Sequence, residues 1–97
     1  MSYTVFCTFD LKNATKTDYE NAHSDLENIG LERVVTGTNG EVVIPTTSVY
    51  GKFNGSSVNS VRDDIRRRVK EAFSARGLKS EIFVVVGKDG TWGSTTT

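Results

Sequence analysis

A chain of 97 residues with a formal net charge of zero, 36% hydrophobic and 25% charged, has the make-up of one globular domain with a single core. No run of about eighteen apolar residues is present to form a membrane span, and a lone cysteine, Cys7, builds neither an internal disulfide nor a cysteine-based zinc site. The opening MSYTVFCTFD lacks the basic and apolar regions of a signal peptide, so the expected setting is a reducing cytoplasm.

Tyr3, Val5, Cys7, Phe9 and Leu11 alternate with Thr4, Phe6, Thr8 and Asp10, which predicts a strand with one strongly apolar face and one mixed face. Residues 12–16 form a polar turn. Thr17 followed by Glu20 offers a capping box, and Tyr19, Ala22, His23, Leu26 and Ile29 make a helical stripe. Gly30 and Leu31 supply its closing signal. A short second strand is expected over 31–36. Gly37-Thr38-Asn39-Gly40 is a turn, its Asn-Gly pair a hairpin signal. Residues 41–53 read as extended, interrupted by the only proline. Pro45 marks an edge, a bulge or the break before a strand at 48–53.

Val61, Ile65, Val69, Ala72 and Phe73 then recur at helical spacing, with Arg62, Asp63, Arg66, Arg67, Lys70 and Glu71 off the stripe. Ser60 with Asp63 fits a capping box; Arg76 stands near the negative end of the helix dipole, and Gly77 with Leu78 closes it. Residues 80–86 are β-branched and apolar enough to be the last strand. One domain is expected over 3–88, followed by a Gly/Ser/Thr-rich tail, 89–97, that is flexible except around Trp92. The order β-α-β-β-α-β is the ferredoxin-like split, an α+β fold. Right-handed crossovers put both helices on one face of an antiparallel sheet, with the first and third strands in the middle. The other face is left bare. Phe6, together with Phe83 and Val85 or with their alternates Ile82, Val84 and Val86, makes that face too apolar for water, and a homodimer across the sheets is the economical cover.

Charge is unevenly spread. Residues 1–41 carry three basic groups against seven acidic ones, and residues 62–79 carry seven basic against three acidic. The basic helix offers phosphate contacts through Arg62, Arg66, Arg67 and Lys70. The alternative is an acidic helix lying beside a basic one, with Asp63–Arg67 and Asp64–Arg68 pairs absorbing much of the charge.

Few residues carry chemistry. Asp10 ends the first strand on the face opposite the Tyr3–Phe9 stripe. Two symmetry-related copies of it would offer oxygen ligands to magnesium, or it is a turn aspartate accepting backbone amides. His23 is the only histidine and falls on an apolar stripe, which suits the edge of a core as well as acid–base work. Cys7 points into the same core with no basic neighbour to activate it. Thr46, Thr47 and Ser48, beside the proline break, form a hydroxyl cluster able to meet phosphate. There is no P-loop, zinc spacing, nucleophile elbow or small-molecule cofactor signature.

The layout YTVFCTFDL, then TKTDYENAHSDLENIGLERVV, then NGEVVIPTTSVYGKF, then a charged helix and EIFVVVG resembles the small GhoS-type family. Its members are type V antitoxins with a ferredoxin-like fold akin to the CRISPR-associated adaptation nucleases. The matching features are Asp18-Tyr19, Leu26 with Gly30-Leu31, the Pro45-Thr46 break, Tyr50-Gly51 and the Arg62–Phe73 helix, over roughly residues 3–88. The resemblance implies a sequence-selective endoribonuclease that destroys the messenger of a membrane toxin. It carries no active residue across position by position. Two functions are therefore expected, the first of them favoured by the resemblance. One is a dimeric RNA-binding or RNA-cleaving protein, with Arg62, Arg66, Arg67 and Lys70 on phosphates and Asp10 or Thr46, Thr47 and Ser48 positioning the reacting group. The other is a non-enzymatic module whose bare sheet face binds itself or another protein.

Overall fold

The alternating start of the chain becomes the middle of the sheet. In the computed structural model the described residues are 2–37, 40–43 and 47–88, with 34–37 and 40–43 described by backbone alone. The elements run β1 (Ser2–Leu11), α1 (Lys16–Ile29), β2 (Val34–Gly37), β3 (Gly40–Val43), β4 (Ser48–Asn54), α2 (Val58–Ala75) and β5 (Ser80–Gly87). β1 pairs antiparallel with β4 on one side and β5 on the other, giving the order β4-β1-β5. The order of elements is ferredoxin-like, and both helices pack on the face of β1 that buries Tyr3, Val5, Cys7, Phe9 and Leu11.

Both helices start earlier than their sequence signals suggest. The box of α1 is Thr15 with Asp18, not Thr17 with Glu20: the Asp18 amide donates to Thr15 Oγ1 at 3.1 Å, and the Asp18 carboxylate accepts from the Thr15 amide at 2.9 Å. The box of α2 is Ser57 with Ser60, not Ser60 with Asp63. Asp63 is thereby left for side-chain pairing. α1 closes as expected, Gly30 taking the left-handed conformation at φ 105° while the Leu31 amide reaches back to Leu26 at 2.9 Å.

The core gathers on Phe9, whose ring lies 5.1 Å from Phe73, 5.5 Å from His23 and 6.3 Å from Tyr19, centre to centre. Leu26, Leu31, Val49, Val61, Ile65 and Val69 complete it. Full burial of such side chains is worth about 1.5–3 kcal/mol each, so this face of the sheet fixes the register of the whole fold. The two helices are tied at their ends by Asp25 and Arg76, a two-pronged pair with Arg76 Nη2 on Asp25 Oδ1 at 2.9 Å and Nε on Oδ2. That hydrogen bond holds the Asp25 carboxyl below its usual range.

The second strand departs from expectation. Instead of lying along β4, the chain makes one bridge to it, Glu32 with Tyr50, through bonds of 2.7 and 2.8 Å, and then turns away. β2 pairs with β3, from Val34 opposite Val43 to Gly37 opposite Gly40, as a separate two-stranded ribbon; residues 38 and 39 of the expected turn lie outside the described residues. Of the two strands expected in the middle, β1 is there, and among the described residues β4 carries only that bridge on its outer side. Pro45, Thr46 and the tail from 89 onward, expected to be flexible, lie outside the described residues. Among those described, no helix is long and apolar enough to cross a membrane.

Candidate functional site

Two surfaces stand out, and they lie on opposite sides of the molecule. The first is the uncovered sheet face. Register settles which residues it carries: Phe6 lies between Tyr50 and Val85, Thr8 between Ser48 and Phe83, and Asp10 opposite Glu81. Phe6, Phe83 and Val85 are 39%, 63% and 48% exposed. Ile82, Val84 and Val86, the alternates, pack against the core. One end of this face opens into a hollow of about 470 Å³ bounded by Thr8, Asp10, Thr47, Glu81 and Phe83.

The hollow brings together two of the expected site residues and a neighbour. The Thr47 carbonyl accepts from the Phe9 amide at 2.9 Å and from Thr8 Oγ1 at 3.1 Å, which anchors the turn before β4 over the end of β1. Ser48 faces Thr8 across the strands and is buried. Thr46 lies outside the described residues. Asp10 accepts a hydrogen bond from the Tyr19 hydroxyl, 3.3 Å from Oδ1. That hydroxyl also accepts from the Leu11 amide at 3.1 Å. Glu81, the carboxylate opposite Asp10, was missed from the sequence. Its alternation with Phe83 and Val85 was legible, but its pairing with Asp10 depends on the β1–β5 register. Lys12 sits 3.3 Å from Glu81 and offsets part of the like-charge repulsion. Among the described residues no group of three or more histidine, cysteine, aspartate or glutamate side chains is placed to hold a metal ion.

Neither conventional reactive group reaches this hollow. His23 is 3% exposed and edge-on to Phe9, on the helix side of the sheet. Cys7 is buried on that side too, and burial pushes its thiol up to about 12, far from a thiolate at neutral pH. What remains chemically among the described residues is two carboxylates, a lysine and hydroxyls: groups that bind and orient, with no nucleophile among them paired to a base.

The second surface is the outer side of α2. With Val61, Ile65, Val69 and Phe73 turned inward, Arg62, Arg66 and Lys70 fall at successive four-residue steps, about 6 Å apart along the axis. Arg62 bonds Asp63 at 2.9 Å and Asn59 at 3.3 Å. Arg66 approaches Asp63 only to 3.9 Å. Arg67 is held by Asp64 at 2.6 Å and Glu71 at 3.4 Å, and Arg68 by Asp64 at 3.2 Å. So the expected Asp64–Arg68 pair forms, while Asp63 turns to Arg62 and Arg66 instead of Arg67. Lys70 makes no ion pair among the described residues. The hydrogen bond from Arg62 keeps the Asp63 carboxyl below its ordinary range. The fold therefore groups the four basic residues, groups Asp10 with Thr47, and sets the two groups on opposite layers.

Comparison with protein-family models, with curated proteins and with solved structures gave no match to this chain.

Proposed function

We propose that this is a small RNA-binding protein of antitoxin type, acting on a messenger RNA as a homodimer in the cytoplasm. The observation that carries the reading is the exposed cation stripe of α2, in which Arg66 and Lys70 are the least neutralised by neighbours. Cations at regular steps on a rigid helix suit the phosphates of a single strand, and the likeness to GhoS-type antitoxins supports the choice of RNA. The second copy covers Phe6, Phe83 and Val85, which water solvates poorly. RNA cleavage, if it occurs, falls to the hollow at Asp10, Glu81 and Thr47. A strand lying on α2 of the same protomer does not reach that hollow, so cleavage needs a second run of contacts across the sheet edge or from the second copy.

The test is a gel shift with labelled single-stranded RNA over a range of salt, with and without magnesium. Binding should weaken linearly in log–log terms with salt, and Arg66→Gln combined with Lys70→Gln should flatten the slope by roughly 1.4, about 0.7 per lost single-strand contact. An unchanged slope removes α2 from the interface. The second reading, an interaction module without RNA activity, is favoured by the neutralisation of Arg62, Arg67 and Arg68 by neighbouring carboxylates. Absence of binding at low salt selects it.

A further inference from the structure

We propose that the outer edge of β5 is a self-pairing interface, on which a second copy of this chain lays its own β5 antiparallel about a two-fold axis through Val84. The inference is independent of the RNA reading and of the sheet-face dimer. Among the described residues β5 has one neighbour, β1, and its other side is open. Which amides line that open side follows from one bond. The Lys12 amide donates to the Lys79 carbonyl at 2.9 Å, so in the antiparallel ladder Glu81, Phe83, Val85 and Gly87 exchange bonds with β1. Ile82, Val84 and Val86 therefore turn their N–H and C=O groups outward.

Open edges in monomeric proteins usually carry lysine, proline or a bulge that repels another strand. From Ile82 to Val86 this edge carries none of them. Ile82, Val84 and Val86 are only half-buried beneath the helices, and Phe83 and Val85 are exposed on the far face.

Self-complementarity identifies the occupant. A two-fold axis perpendicular to the sheet must pass through a residue facing its own copy, so the candidate registers differ by which residue that is. Through Val84, Ile82 meets the second copy's Val86, Phe83 meets Val85, Glu81 meets Gly87 and Ser80 meets Lys88. Every apolar side chain faces an apolar one and no like charges oppose. An axis through Phe83 sets Val85 against Glu81, and one through Val85 sets Ile82 against Lys88. Only the Val84 axis also gives about six ladder bonds made wholly between the outward amides of Ile82, Val84 and Val86. The result is a six-stranded sheet running β4-β1-β5 and back through the second copy.

The interface is tested by disulfide trapping in a Cys7→Ala background, because Cys7 lies directly across the ladder from Val84 and would compete. Val84→Cys places two thiols at a bonded pair with Cα atoms about 5.5 Å apart, inside the range a disulfide spans. Under mild oxidation it should give a covalent dimer at least about tenfold faster than Val86→Cys, whose two copies sit roughly 13 Å apart along the ladder. Mixing Ile82→Cys protein with Val86→Cys protein should restore the fast link. Thermal melts on each variant verify folding, and an unfolded variant is recognised because it links without regard to position. Adding Phe6→Glu separates this contact from the face-to-face dimer, since Phe6 sits on the central strand and Val84 points to the helix side. Persistence of the Val84 link in that background supports the edge interface. A Val84→Cys protein that stays monomeric, that links no faster than Val86→Cys, or that loses its link with Phe6→Glu overturns it.

Discussion

Gly51→Ala puts a methyl group where two backbone segments touch. Gly51 lies opposite Val5 on the helix side of β4, and a Cβ built there comes 2.3 Å from the carbonyl oxygen of Gly30 and 2.8 Å from Cε2 of Phe53. The Phe53 ring is able to swing aside; the Gly30 carbonyl is not. Gly30 is locked in its left-handed conformation by its own amide bond to Glu27 at 3.0 Å and by that of Leu31 to Leu26, and Glu32, two residues on, is bonded twice to Tyr50. Relieving the clash means moving the end of α1 off β4 by roughly 1 Å, with an overpacking cost of about 1–3 kcal/mol. Loss of the two bridge bonds adds about 1 kcal/mol each. The expected destabilisation is about 3–5 kcal/mol, a fall in thermal midpoint of roughly 12–40 °C for a domain of this size. Urea denaturation followed by circular dichroism measures it, with the slope of the transition checking that only the native state has changed. Adding Phe53→Leu should recover little, because the limiting contact is with backbone. A Gly51→Ala protein within about 0.5 kcal/mol of the parent would refute the packing of α1 against β4 described above.

Ile65→Ala should cost about 2–5 kcal/mol by the same denaturation assay, since Ile65 is fully enclosed; a change below about 0.5 kcal/mol would mean that α2 buries another face. Asp25→Asn should lower the thermal midpoint at neutral pH and leave a flatter acid limb. The sign follows from a folded-state pKa below the unfolded value of about 3.9: the stabilisation is present above that pH and is lost as pH falls through the folded value, so the two proteins should converge in acid. Parallel acid limbs would deny the Arg76 pair that role. Cys7 should resist alkylation in the native protein and react only as fast as the core opens, because the thiol is both enclosed and shifted up to about 12. Labelling at the rate of a free thiol would contradict its burial.

The features legible in the sequence were those written in local periodicity. The β1 alternation, the Val61–Phe73 stripe and the hairpin around Gly37 and Gly40 each repeat within a few residues, and each appears where expected. Helix starts were less legible because hydroxyl residues crowd both of them. Thr15 and Thr17 compete for one cap and Ser57 and Ser60 for the other, and the winner depends on which backbone position is already extended. Features set by register across distant strands were out of reach. The choice of Phe83 and Val85 over Ile82, Val84 and Val86 for the open face, and the meeting of Glu81 with Asp10, both follow from how β5 slides along β1. The departure of the second strand after Glu32 is of the same kind: its valines satisfy a strand pattern whether they pair with β4 or with β3, and the nearby turn makes the local partner accessible at less loop-closure entropy.

The central strand also sets an order of events during synthesis. β1 emerges well before its partners β4 and β5, so Thr4 waits for Lys52 on one side and Gly87 on the other. Contacts this far apart in sequence form slowly and leave apolar surface uncovered in the interval. A nascent chain that has not yet delivered residues 80–87 holds the β1 edge at Phe6 and Thr8 without a hydrogen-bonding neighbour, and α2 without much of the sheet on which it packs. Translation speed through the α2 segment thus sets how long that unfinished edge stays available to other chains.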